Sequence, residues 1–141
     1  MSSSTGTATG TTTGTEREAR NGALVRDFVA AFEKQDAALL GSWFADDIVF
    51  ENYGDPVVRG RADLVAMWAG VFRSFADVRF ETLHQAVDGD VVIAEQVHGL
   101  ALAGGPLAPI KNLAVYEIRD GKIAAWRDYT NPLEAKRLLG L

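Results

Sequence analysis

VRFETLHQAVDGDVVIAEQVHGLALA, residues 78–103, reads as two long strands joined by a tight turn. Both arms are rich in β-branched and apolar side chains, and the polar break Asp88-Gly89-Asp90 marks a hairpin. Further strands follow the same logic. Gly104-Gly105-Pro106 interrupts the chain, residues 110–119 form the next strand, Asp120-Gly121 is a turn, and residues 122–129 form the last strand. A short helix over residues 132–139 closes the chain.

Upstream of this meander the period changes from two to 3.6. Leu24, Val25, Phe28, Val29 and Phe32 make one apolar stripe on a helix that ends near Gln35. Asp36 caps a short helix over residues 37–44, Ala45-Asp46-Asp47 reads as a turn, and residues 48–53 form a strand closed by Gly54, Asp55 and Pro56. A third helix covers residues 61–74, with Leu64, Val65, Trp68, Val71 and Phe72 on one face. Three helices followed by an antiparallel meander predict an α+β fold, a curved sheet with helices over its concave face and a pocket between them.

Residues 1–15 carry no large apolar side chain after Met1, so they cannot offset the entropy of ordering. They are expected to be a disordered tail, leaving residues 16–141 as one domain. The tail has neither the basic nor the apolar region of a secretion signal, so a cytoplasmic location is the expectation. The 141 residues are 48% apolar and 23% charged, ordinary for a globular chain. A net charge of −5 with scattered Lys and Arg argues against nucleic acid as a partner. No apolar run is long enough to span a membrane. The absence of cysteine removes disulfides and thiolate chemistry, and two isolated His residues make no metal site. No cofactor motif occurs, so none is expected.

Strand alternation sorts the side chains into faces. Ala94, Gln96, His98 and Leu100 share one face, opposite Glu95, Val97 and Gly99. Ala124, Trp126, Asp128 and Thr130 share another, opposite Ala125, Arg127 and Tyr129; Ile48, Phe50 and Asn52 form a third. Periodicity alone does not say which faces are concave.

Residues 28–36, then Trp43-Phe44-Ala45-Asp46-Asp47, then Phe50-Glu51-Asn52, resemble the opening of the limonene epoxide hydrolases. Asp120-Gly121-Lys122-Ile123 and Trp126-Arg127-Asp128-Tyr129 resemble their end still more closely. The chain is thereby identified as similar to the SnoaL-like (NTF2-like, cystatin-like) superfamily, with its cone-shaped fold, across residues 24–139. The resemblance implies that Asn52, Gln96, His98, Trp126 and Asp128 look into the pocket. In the hydrolases an Asp on the last strand works with an Arg-x-Asp pair on a central strand; Asp128 matches the first, while Gln96-x-His98 replaces the pair. The small polyketide cyclases carry a Gln and a His two apart, as here. The residues on which ketosteroid isomerase depends would fall at or near Phe28, Asn52 and Lys111, none of which can do the original work.

These residues lead to an expected cofactor-free acid–base enzyme acting on a small hydrophobic, oxygenated molecule of polyketide or terpenoid type. Asp128 is the expected acid/base and His98 its proton partner, with Phe50, Asn52, Gln96 and Trp126 binding substrate. Burial raises the Asp128 pKa and a facing imidazolium lowers it, so the pair could exchange a proton near neutral pH. Cyclisation or isomerisation through an enolate leads, epoxide opening is the alternative, and a binding module is the third reading. Separation of Asp128 from His98 favours binding; a polar cluster inside an apolar cavity favours an enzyme. The convex face, with Val97, Arg127, Tyr129 and an expected Arg127–Glu95 pair, is expected to form a homodimer.

Overall fold

The computed structural model describes the backbone of residues 2–141 and side chains from Gly14 onward. Of the tail expected over residues 1–15, Met1 and the side chains before Gly14 lie outside the described residues, and the backbone from Ser2 belongs to the first helix. The elements are α1 (Ser2–Ala31), α2 (Ala37–Gly41), β1 (Phe44–Asn52), β2 (Val58–Arg59), α3 (Arg61–Ser74), β3 (Asp77–Asp88), β4 (Val91–Ala101), β5 (Ala108–Arg119), β6 (Lys122–Asp128) and α4 (Pro132–Leu139). The six strands form one curved sheet in the order β2-β1-β6-β5-β4-β3. Only β1 and β6 run parallel; every other pair is antiparallel. The α+β reading holds.

The helices start and stop for local reasons. After α1 a single 3-10 turn, Phe32–Lys34, ends at Gln35, which takes the left-handed conformation at φ 49°. The Gln35 side chain donates to the Phe72 and Phe75 carbonyls, tying α1 to the end of α3. Asp36 accepts from the Leu39 N–H and caps α2. At Gly41 the chain passes so close to α3 that an added Cβ would lie 2.8 Å from Val65 Cγ2. At the other end Asn131 accepts from the Leu133 and Glu134 N–H groups, Pro132 opens α4, and Gly140 ends it.

Two boundaries differ from the sequence reading. Phe44 opens β1 rather than closing α2, and Ala45-Asp46-Asp47 lies within the strand. The β1–β6 register shifts between Phe44 and Val49, which swings Asp46 and Asp47 out to solvent. There they pair with Arg61 (2.6 Å) and Arg119, so two adjacent acids resemble a turn although the strand continues. The two-residue β2 is too short for any periodicity to register.

The closed end of the cone is packed with rings. Phe28 of α1 meets Phe32, Phe44, Tyr116 and Trp126 edge-on, at centroid distances of 5.1, 5.7, 6.0 and 5.2 Å. Trp126 stacks in parallel with Trp68 of α3 at 5.5 Å. These buried side chains contribute roughly 1.5–3 kcal/mol each by burial, and they anchor β5 and β6 beneath the open end. No α4 residue is fully buried, and Leu133 stands exposed. On the convex face Leu83, Ile93, Leu113 and Tyr129 are exposed. No helix among the described residues is long and apolar enough to cross a membrane.

Candidate functional site

A cavity of about 410 Å³ opens between the concave face, α3, α4 and the β1–β2 connection. Its walls are mainly apolar, with Phe50, Met67, Trp68, Val71, Phe80, Leu100 and Ile110 prominent. Its polar groups are Asn52, Asp55, His98, Asp128 and Thr130. Asp55 lies at the exposed rim, whereas Asp128 is 4% exposed and is the one buried carboxylate among the described residues. Alternation along β4, β5 and β6 places Gln96, His98, Asn112 and Asp128 on the concave side.

These side chains share one hydrogen-bond network. Asp128 Oδ1 accepts from Trp126 Nε1 at 2.8 Å and from Asn112 Nδ2 at 3.0 Å. Asn112 Nδ2 also donates to Gln96 Oε1 (3.2 Å), and Asn112 Oδ1 accepts from Thr130 Oγ1 (2.8 Å). Gln96 Oε1 lies 2.7 Å from His98 Nε2, and Gln96 Nε2 donates to the Tyr116 hydroxyl at 3.0 Å. The His98 ring lies flat on Phe80, with centroids 3.7 Å apart. Asp128 Oδ2 has no protein partner among the described residues.

Burial dominates the electrostatics, because every polar neighbour is neutral. It pushes the Asp128 pKa up to about 7, against hydrogen bonds from Asn112 and Trp126 that lower it. It pushes His98 down to about 3, so this imidazole is neutral at pH 7. It raises Tyr116 well above its ordinary value, with the Asp128 charge adding to the effect, so the phenol keeps its proton. A proton on Asp128 belongs on Oδ2, since Oδ1 already accepts two hydrogen bonds. With a pKa of about 7, both the protonated and the ionised form of this carboxyl are populated near neutral pH.

The structure brings Phe50, Asn52, His98 and Asp128 to the cavity wall, whereas Gln96 and Trp126 lie behind it, each 1% exposed. Asp128 and His98 do not meet: the Asn112 amide stands between them. The expected imidazolium partner is therefore absent, because a charged ring buried with no facing carboxylate would cost too much. Asn52 donates to Asp55 at 3.2 Å rather than to Asp128, and its Oδ1 is buried without a partner. Trp68 Nε1 is likewise buried and unpartnered, so each of these two wall residues carries one polar atom that neither the protein nor solvent satisfies.

Sequence reasoning missed Asn112, although the signal was the one that found Gln96 and His98. Asn112 is a single polar residue on the apolar face formed by Ile110, Ala114, Tyr116 and Ile118. Lys111, the position reached through ketosteroid isomerase, points to the exposed side. The expected Arg127–Glu95 pair does not form. β5 lies between β4 and β6, so Arg127 reaches Glu117 of β5 at 2.6 Å and Glu95 reaches His84 of β3 at 2.8 Å. No three His, Asp or Glu side chains among the described residues gather around a common metal position.

An α+β fold with a curved sheet and an apolar cavity over a buried carboxylate is shared by a family that includes isomerases and epoxide hydrolases. The chain belongs to the SnoaL-like domain family, which its residues 25–126 match. It is 32% identical over 108 residues to Epoxide hydrolase EphG of Mycobacterium tuberculosis, covering 74% of this chain and 69% of that protein. Among solved structures, an epoxide hydrolase of M. tuberculosis resembling the limonene enzyme superposes with a TM-score of 0.73 at 26% identity, over 86% and 90% of the two chains. A Catenulispora acidiphila protein of ketosteroid isomerase-like fold, solved with trimethylamine, reaches a TM-score of 0.77 over 84% and 92% of the chains. At 22% identity, that last likeness concerns the fold alone.

Proposed function

We propose that this protein is a cofactor-free acid–base enzyme that isomerises or cyclises a small hydrophobic carbonyl compound, of polyketide or terpenoid type, through an enolate. The observation that carries the proposal is Asp128: one oxygen held by two neutral donors, the other unpartnered, at the bottom of an apolar cavity. Ionised Asp128 removes a proton from the carbon beside the carbonyl. The C–H electron pair moves into the new C=C bond, and the carbonyl π pair moves onto the oxygen, which becomes the enolate oxygen. Where a C=C adjoins the deprotonated carbon, the dienolate takes the proton back from Asp128 at the far end of the C=C and the double bond shifts. Otherwise the enolate carbon attacks an internal carbonyl, whose alkoxide is protonated by Asp128. A single group removes and returns one proton, which suits a site with one buried carboxylate.

Epoxide opening is the second reading, favoured by the 32% identity to EphG. Protonated Asp128 would give its proton to the epoxide oxygen while water or an internal hydroxyl attacks the carbon. The attacking oxygen's proton would leave to solvent, because His98 is too weak a base to hold it at neutral pH. The separation of Asp128 and His98 counts towards a binding module, and the polar network inside an apolar cavity counts against one.

The direction of the pH–rate profile separates the two reactions. With a panel of cyclic ketones and cyclic epoxides, proton abstraction requires the carboxylate, so kcat rises as pH passes through about 7. Epoxide protonation requires the acid, so kcat falls over the same interval. We also propose that the convex face pairs two chains. Light scattering should give about twice the 15.2 kDa chain mass, and the mass of one chain would exclude the pairing.

A further inference from the structure

The network under the cavity has a polarity that is fixed from one end. An indole nitrogen can only donate, so Asp128 Oδ1, 2.8 Å from Trp126 Nε1, is an acceptor. The 3.0 Å contact from Asn112 to that oxygen must therefore come from an N–H, which orients the Asn112 amide and leaves its Oδ1 to accept from Thr130. The second Nδ2 hydrogen goes to Gln96 Oε1 at 3.2 Å. Gln96 Oε1 is then an acceptor, with Gln96 Nε2 donating to Tyr116, so His98 Nε2 at 2.7 Å must carry the ring proton. Both Nδ2 hydrogens of Asn112 are committed, and its 3.2 Å approach to His98 Nε2 is packing. His98 Nδ1 is left with a lone pair and no protein partner among the described residues, on a ring that lines the cavity.

We propose that His98 is a recognition residue: its Nδ1 accepts a hydrogen bond from a substrate hydroxyl, and the cavity selects an uncharged, hydroxyl-bearing apolar molecule. This rests on the cavity being the substrate site. The charge of the lining supports it. Among the described residues no Lys or Arg faces the cavity, so a carboxylate or phosphate ester would find no cation and would hold Asp128 protonated. An ammonium would hold Asp128 ionised. Only an uncharged ligand leaves Asp128 free to alternate.

The chain has two His residues, His84 and His98, so its imidazole nitrogens can be resolved by long-range proton–nitrogen correlation on the full-length protein, with His84→Gln supplying the assignment. The expected spectrum at pH 7 shows a protonated Nε2 and a bare, pyridine-type Nδ1 for His98. Menthol should shift Nδ1 towards the hydrogen-bonded range and bind about tenfold tighter than menthyl methyl ether. His98→Phe keeps a ring against Phe80 and should erase that preference. A proton on Nδ1, or an imidazolium, would overturn the proposal without any ligand. Equal affinity for alcohol and ether, tighter binding of menthylamine or menthane carboxylic acid, or no binding by any uncharged member of the set would overturn the substrate class. The tautomer is read without turnover, so its failure and that of the catalytic reading are distinguishable.

Discussion

The two faces of the sheet are built from the same kinds of side chain and treat charge in opposite ways. On the convex face Arg127 pairs with Glu117 at 2.6 Å and His84 with Glu95 at 2.8 Å, all within reach of water. On the concave face Asp128 and His98 have only neutral partners, and an amide separates them. Groups paired at the surface keep much of their hydration. A buried acid denied a cation is pushed towards neutrality, and among the described residues the fold meets that cost at one carboxylate, beside the cavity. The comparison shows that the site is defined as much by the charges it lacks as by the one it holds.

The largest expected effect tests that single residue. Asp128→Asn preserves the size and the two hydrogen bonds accepted by Oδ1 and removes the titrating oxygen. General acid–base catalysis typically contributes 10²–10⁴-fold, and the loss should fall in kcat with KM nearly unchanged. Stopped-assay kinetics on any turned-over member of the ketone and epoxide panel measures it. Unchanged kcat would break the contrast between the faces and leave the cavity as a binding site.

The next effect is on stability. The Asp128 pKa is raised from 3.8 to about 7 by folding, so the stability linked to its protonated form is fully present below pH 3.8 and is lost as pH rises through about 7. Three units correspond to a loss on the order of 4 kcal/mol. His98 acts in the reverse sense, losing stability as pH falls from 6.5 towards 3, but it is common to wild type and variant and cancels in their difference. Asp128→Asn should therefore match wild type near pH 4 and exceed its Tm by several degrees at pH 8. Parallel Tm curves across this range would show that Asp128 is better solvated than its surroundings imply.

Much of this contrast was legible in the sequence. Period-two alternation separated Gln96 and His98 from Glu95, and Trp126 and Asp128 from Arg127, because a half-buried strand must alternate. The resemblance then oriented those faces. What alternation could not provide was lateral pairing. Glu95 and Arg127 both lie on the convex side, but β5 stands between their strands, and only the strand order reveals it. The same limit hid Asn112, whose importance comes from lying opposite Gln96 on one neighbour and near Asp128 on the other. Asp46 and Asp47 failed for a different reason, since a bulge inside a strand presents the composition of a turn.

The smallest expected effect lies on the convex face and sharpens the comparison by being small. Arg127→Gln removes the cation from a pair whose side chains are 30% and 48% exposed. Water solvates both charges well, so the lost attraction is largely replaced by hydration, and exposed pairs contribute about 0.2–1 kcal/mol. Denaturant unfolding in dilute protein, below the concentration at which two chains would associate, should show a loss within that range. The loss should shrink further at high salt, where surface charges are screened. Glu117, left without its guanidinium, can turn to solvent, unlike a carboxylate stranded beside the cavity. A loss of several kcal/mol at high salt would mean that the pair is desolvated in the single chain. The distinction between a hydrated outer face and a dry inner one would then be wrong at its outer edge.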